Sequence, residues 1–314
     1  MSLEVVDASG NEELARVFVG ELDDGSRVEF VESIQPPLRR EEKWVLIVST
    51  LKGCPVGCPI CDAGGDYRGR LTREEILDQV RALVASRFPS GEVISKRVKV
   101  QLARMGEPAL NDEVIAALED LPGLGLPGLM PCISTVAPVG RERWFSELER
   151  VKRELYGGGR FQMQFSVHTT CPEARRRLVP IRTWPLERIA ACGDRFFESG
   201  DRKISLNFAP ALGLPLEPDI LAPLFSPERF LVKLTPINPT AAASRSGLVG
   251  AIDPADEDAC RAAVESFESL GYETILSIGD LRENEIGSNC GMYVERMRRE
   301  RAAPARNRPI PSRA

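Results

Sequence analysis

Polar and cysteine-bearing motifs in this chain fall, one after another, just past the ends of short apolar runs, and that placement limits the fold more than composition does. Runs of strand length rich in β-branched residues are predicted at "WVLIVS", "RVKVQLA", "MPCIST", "FQMQFSV", "KISLNFA" and "FLVKLTP". Stretches with helical periodicity lie between them; "TREEILDQVRALVASRF" opens with the capping pattern Thr72, Glu75. Strands alternating with helices predict an α/β protein with a mainly parallel sheet. An N-terminal hairpin ("ARVFVGEL", "DDGS", "RVEFVESI") precedes the six runs, a seventh run, "YETILSI", follows them, and "NPTAAASRSGLVGAIDP" reads as a loop over the active face or a covering linker. "GCPVGC" follows the first run, "RMGEPALN" the second, "STVAP" overlaps the end of the third, "SVHTT" that of the fourth, and "PINP" follows the sixth. In a (β/α) barrel these ends share one face, so the motifs are expected to converge there.

A chain of 314 residues permits one large domain or two. With 28 % charged residues throughout and apolar runs no longer than a strand, no membrane span is expected, and the acidic start "MSLEVVDASGNEEL" lacks the features of a secretory signal, so a cytoplasmic protein is expected. Eight cysteines in such a chain suggest metal binding or catalysis rather than a disulfide framework. Residues 295–314 carry seven Arg against two Glu, leaving the body acidic, unlike a generic binder of phosphate backbones; the tail reads as a solvated end or an anion contact. "RRRL" (175–178) and "LRREEK" (38–43) read as solvated faces, and Cys192 and Cys260 as ordinary core residues.

Cys54, Cys58 and Cys61 stand in a CxxxCxxC spacing thinned by Pro55, Gly57 and Pro59, so one tight loop can wrap three thiolates around a compact inorganic centre. A 4Fe-4S cluster ordinarily takes four cysteines, and three would leave one iron open. Zinc, with Cys290 or His168 as fourth ligand, is the competing reading. "MGEP" alone is a turn leading into a helix, Cys290 alone a small buried hydrophobe, and His168, the one histidine, a core residue.

Together the segments resemble the radical S-adenosylmethionine (SAM) enzymes, and within them the RlmN/Cfr-type methylsynthase branch. The resemblance runs through the cysteine loop with its continuation to "LTREEILDQV", then "MGEPALN", "STV", "SVHTTCPEARRRLVPI", "LTPINP" and "NEIGSNCGM", over roughly residues 27–294. It implies a partial (β/α)6 barrel over 43–285, an N-terminal hairpin segment over 1–42, and a Cys-bearing loop with an Arg-rich tail over 286–314. It further implies a 4Fe-4S cluster on Cys54, Cys58 and Cys61, with SAM contacted by Gly106, Glu107, Ser134, Ser166, Val167, His168 and Asn238. Cys290 is then the methyl-carrying residue and Glu29 the general base, with Glu32 a rival and a functionless surface acid an alternative. The implied substrate is RNA or a small heteroaromatic molecule, and the implied electron donor a flavodoxin or ferredoxin.

Three departures separate the chain from that branch. Ile47 stands where the branch has the cysteine that releases the product adduct, and Cys132 or Cys171 are possible substitutes; the branch's separate N-terminal RNA-binding domain has only about 25 residues available to it; and the body is acidic. A radical SAM enzyme performing a non-methylating hydrogen abstraction and a non-catalytic metal- or nucleic-acid-binding protein are the alternatives.

Overall fold

The computed structural model describes residues 2–280, 282–288 and 293. Its first three strands, β1 (Leu3–Gly10), β2 (Ala15–Leu22) and β3 (Arg27–Ser33), form an antiparallel meander that joins β4 (Trp44–Val48). A small hairpin, β5 (Leu51–Cys54) with β6 (Gly65–Arg70), then brackets the cysteine loop. From there strand and helix alternate: α1 (Arg73–Arg87), β7 (Val98–Leu102), α2 (Glu113–Asp120), β8 (Met130–Thr135), α3 (Glu142–Leu155) and β9 (Gln162–Ser166). After α4 (Pro172–Leu178) and α5 (Leu186–Phe196) come β10 (Ile204–Phe208), α6 (Pro218–Leu221), β11 (Phe230–Leu234), α7 (Ala241–Ser246), α8 (Glu257–Glu268), β12 (Thr274–Leu276) and α9 (Arg282–Ile286).

Ten strands make one sheet in the order β1-β2-β3-β4-β7-β8-β9-β10-β11-β12, parallel from β4 onward. All six expected barrel strands and the seventh run are present. Their two faces differ chemically, as alternation along a strand requires. Val98, Val100 and Leu102, Met163 and Phe165, and Phe230, Val232 and Leu234 enter the main core beneath the helices. Lys99 and Gln101, Cys132 and Ser134, Gln162 and Gln164, and Asn207 fall on the opposite, lumenal face.

Side chains pin the helical layer to the strand ends. Thr72 and Glu75 close the anticipated capping box on α1. Gln79 exchanges hydrogen bonds with the backbone of Ser49 (2.8 and 3.0 Å), fixing α1 to the end of β4. Cys192 and Cys260 are buried in the core as expected.

The segment read as a loop, 238–254, contains α7, whose run of small residues carries no apolar periodicity to announce it. It does cover the cysteine loop. The Asp62 carboxylate accepts from the amides of Ala241 (3.1 Å) and Ala242 (2.7 Å), and the Thr240 hydroxyl donates to the Ile60 carbonyl (3.0 Å). The first strand, β1, was not expected, because its exposed acidic edge lacks apolar alternation.

Among the described residues no helix is long and apolar enough to cross a membrane.

Candidate functional site

The motifs converge as the strand ends require. Cys54, Cys58 and Cys61 share one cavity of about 270 Å³ with Gly106, Glu107, Ser134, Ser166, His168 and Asn238. That volume lies near the lower bound for small-ligand sites.

The loop's geometry rests on two glycines. Gly53 (φ +76°) lies where a Cβ would come within 2.6 Å of the Asp66 carbonyl oxygen, and Gly106 (φ +103°) where one would fall 2.5 Å from Leu51 Cγ. No L-side chain fits either position without displacing backbone. The loop's base is stapled by Asn111, whose amide donates to the Thr50 (2.8 Å) and Leu71 (2.7 Å) carbonyls. Burial pushes the Cys54 thiol up, while the amides of Val56, Glu107 and Gly57, directed at its sulfur, oppose that and favour thiolate. Among the described residues no three His, Cys, Asp or Glu side chains close around a single metal ion.

Glu107 is buried, with both carboxylate oxygens engaged by the protein: it accepts from the Thr135 hydroxyl and from the amides of Ala109 (3.0 Å) and Val136 (2.8 Å). Burial raises its pKa against those hydrogen bonds. The carboxylate therefore joins the ends of β7 and β8.

Ser134 accepts from the Gln164 amide (3.1 Å), keeping both polar groups on the cavity wall. His168 is buried in a left-handed conformation (φ +68°), and its Nδ1 has no hydrogen-bond partner among the described residues. Burial, reinforced by the charge of Arg175, lowers its pKa to about 4, so the imidazole is neutral near pH 7. An unsatisfied buried nitrogen on a cavity wall costs about 1–3 kcal/mol unless a ligand meets it. Val167 differs: its side chain belongs to the core, while its amide and that of His168 donate to the Asn207 carbonyl (2.9 and 3.1 Å).

Glu29 is fully buried, which removes the reading as a surface acid. Its carboxylate pairs with Arg104, whose Nε lies 2.9 Å from Glu29 Oε2. The same guanidinium donates to the Gly287 (2.8 Å) and Ser288 carbonyls, and Arg104 also lines the cavity. Glu32, the rival, points to the other face, bonded to Trp44 Nε1 (3.0 Å) and Arg87. Cys290 lies outside the described residues; the segment before it docks on the meander, where Ile286 and Tyr293 pack with Val17, Val19 and Val31 and the Tyr293 hydroxyl donates to Asp7 (2.9 Å).

Sequence reasoning missed Arg104, although it adjoins the "MGEP" motif, because its partners lie 75 to 184 residues away. It also missed Asn207, which had one available sign, a polar residue on the lumenal face near the end of the strand "ISLNF".

No protein-family model matches the chain. A probable dual-specificity RNA methyltransferase RlmN from Frankia alni is 31 % identical over 273 residues, which is 82 % of this chain and 60 % of that protein. The like-named protein of Streptomyces griseus is 28 % identical over 91 % of this chain and 75 % of its own length. Among solved structures, a radical SAM methyltransferase from Sphaerobacter thermophilus superposes with a TM-score of 0.71 at 22 % identity, covering 93 % of this chain and 81 % of that one. The chain thus spans about three fifths of the Frankia alni relative.

Proposed function

The chain is a relative of the RlmN-type radical SAM methyltransferases and shares the fold of a solved radical SAM methyltransferase, and from that premise we propose that it transfers a SAM-derived methyl group through Cys290 to an sp2 carbon of RNA or of a small heteroaromatic molecule. The observation that carries the reading is the single cavity shared by the three loop thiols, Gly106 and the unsatisfied Nδ1 of buried His168.

Cys54, Cys58 and Cys61 would hold a 4Fe-4S cluster, and the cavity beside them would hold SAM. When bound, that pair supplies a carbon-centred radical once a flavodoxin or ferredoxin has delivered an electron. The chain's own residues do the rest. Backbone amides around Cys54 oppose the rise that burial and Glu107 impose on its thiol, and the glycine at 106 lets the turn pack against Leu51 at the base of the cysteine loop. Neutral His168 offers Nδ1 as an acceptor or, in the other tautomer, a donor. Arg104 pairs with Glu29 and grips the carbonyls of residues 287 and 288.

Release of product from Cys290 needs a second thiol, and Cys132 is better placed for it than Cys171. Ile47 pairs in register with Gln101, and Gln101 with Cys132, on one lumenal row, so Cys132 stands two strands over, about 10 Å from the Ile47 position. Cys171 is instead partnered by Glu173 (3.5 Å). Attack of the Cys132 thiolate on the Cys290 sulfur would form the disulfide and leave the carbon–sulfur bonding pair on the product carbon, which takes a proton.

Anaerobic reconstitution with iron and sulfide, then SAM and dithionite, tests the reading. Brown protein, cleavage of SAM and a methylated Cys290 peptide are expected. Colourless protein holding only zinc would refute the assignment. Turnover with Cys290 unmodified, retained in Cys290→Ala, would move it to a non-methylating hydrogen abstraction, the reading that Ile47 favours.

A further inference from the structure

On the lumenal face of the sheet, two lysines lack an ion-pair partner among the described residues. Lys99 is flanked on β7 by core residues Val98 and Val100, and Lys233 on β11 by Val232 and Leu234, so alternation turns both lysines to the lumenal face. Lys99 is only 7 % exposed. Neither makes a hydrogen bond or ion pair among the described residues, whereas buried lysines are almost always paired. Lys233 is in register with Asn207, a wall residue of the cavity, and Lys99 sits two residues before Gln101, in the row that holds Cys132. Burial and the charge of Lys99 lower the Lys233 pKa against a smaller opposing effect of Cys132, so the two ammonium groups act on one another, and burial with the charges of Lys99, Arg202 and Arg97 lowers that of Lys43 as well.

We propose that Lys99 and Lys233 form an anion subsite inside the barrel, which receives a compact oxyanion, a phosphate or carboxylate, of the molecule whose ring carbon is modified. The subsite deepens the methyl-transfer reading by naming a substrate class, and rests on it for the identity of the lumen as substrate chamber. Two unpaired cations, Lys99 buried and Lys233 half-buried, repel each other and lose hydration; a bound oxyanion offsets both. The lumenal position selects a small terminal anion over a charged backbone lying across the surface.

The test uses the full chain without cluster or SAM, so it is independent of catalysis. Calorimetric titration compares adenosine 5′-monophosphate with adenosine, nicotinate with nicotinamide, and a 5′-hydroxyl RNA trinucleotide, in wild type, Lys99→Met, Lys233→Met and the double variant. The expected result is at least tenfold tighter binding of one anionic probe than of its neutral partner, lost in each single variant, with the unliganded variants melting at or above wild type. The probe that loses affinity identifies the source: terminal phosphate, carboxylate or RNA backbone. Equal binding of anionic and neutral probes, or a preference that survives in the double variant, overturns the subsite. Variants that melt well below wild type make the lysines structural and overturn it too. A null result in protein that methylates Cys290 sinks the subsite alone.

Discussion

The cysteine loop lines the cavity, the segment leading to Cys290 reaches it through Arg104, and the two are held by opposite means. The loop is tied into the chain's interior at separate points: Asn111 beneath it, Asp62 and Thr240 to α7 above it, and Gly53 and Gly106 where the backbone closes up. Among the described residues, the C-terminal segment rests on an apolar patch, the hydrogen bond from Tyr293 to Asp7, and the guanidinium of Arg104, which donates to Glu29 and to the carbonyls of residues 287 and 288. Chemistry explains the contrast. On the proposed function, the loop would wrap an inorganic centre and must not move, whereas Cys290 would accept a group in one step and deliver it in another and needs a tether that can let go.

Arg104→Met should break the comparison hardest. It strands the buried Glu29 carboxylate, a change worth about 3–5 kcal/mol. Denaturant melts should show that loss, and hydrogen exchange should place the fastest new opening in residues 282–288, with the cysteine loop's protection least altered. The double variant Arg104→Met, Glu29→Leu should recover much of the stability while leaving the segment loose, separating the cost of an unpaired charge from the tether itself.

His168 sharpens the loop side. Its pKa of about 4 in the folded chain lies below the ordinary 6.5, so the unfolded chain binds more protons between those values. Stability is therefore full above pH 6.5 and falls as pH drops towards 4, by up to about 3 kcal/mol. His168→Gln should flatten the stability–pH profile in that window. An unchanged slope would mean that the imidazole is not buried as a neutral group.

Asp62→Ala should cost about 1 kcal/mol through loss of the α7 cap, with faster alkylation of Cys61 as the local sign. Tyr293→Phe should cost least, about 0.5–1 kcal/mol for one hydrogen bond to Asp7, and should raise exchange in 282–288 alone. If Asp62→Ala loosened the C-terminal segment as much as Tyr293→Phe does, the two regions would be one unit and the contrast would fail.

The parallel strands were legible because each is a β-branched run with a helix after it, and the site because its motifs recur at the same structural place, past the strand ends. The hairpin around the cysteine loop was not, since "LKGC" and "GDYRGR" pair through glycines and exposed polar residues that carry no alternation. Glu107 was legible as a site residue, but its side chain's task was not; besides the neighbouring Ala109 amide, two donors from β8 and the following turn, Thr135 and Val136, claim the carboxylate, and only the folded chain brings those two there. Glu29 shows the same limit. Its buried ion pair depends on a partner 75 residues away, and no local spacing encodes that distance.

The meander's place beside the barrel has one more consequence. Asp7 bonds Tyr293, and β2 and β3 supply the surface on which Ile286 lies, so the polypeptide closes on itself like a buckle. Trimming the first two strands would be felt not where the cut is made but nearly the whole length of the polymer away, where Ile286 and Tyr293 rest.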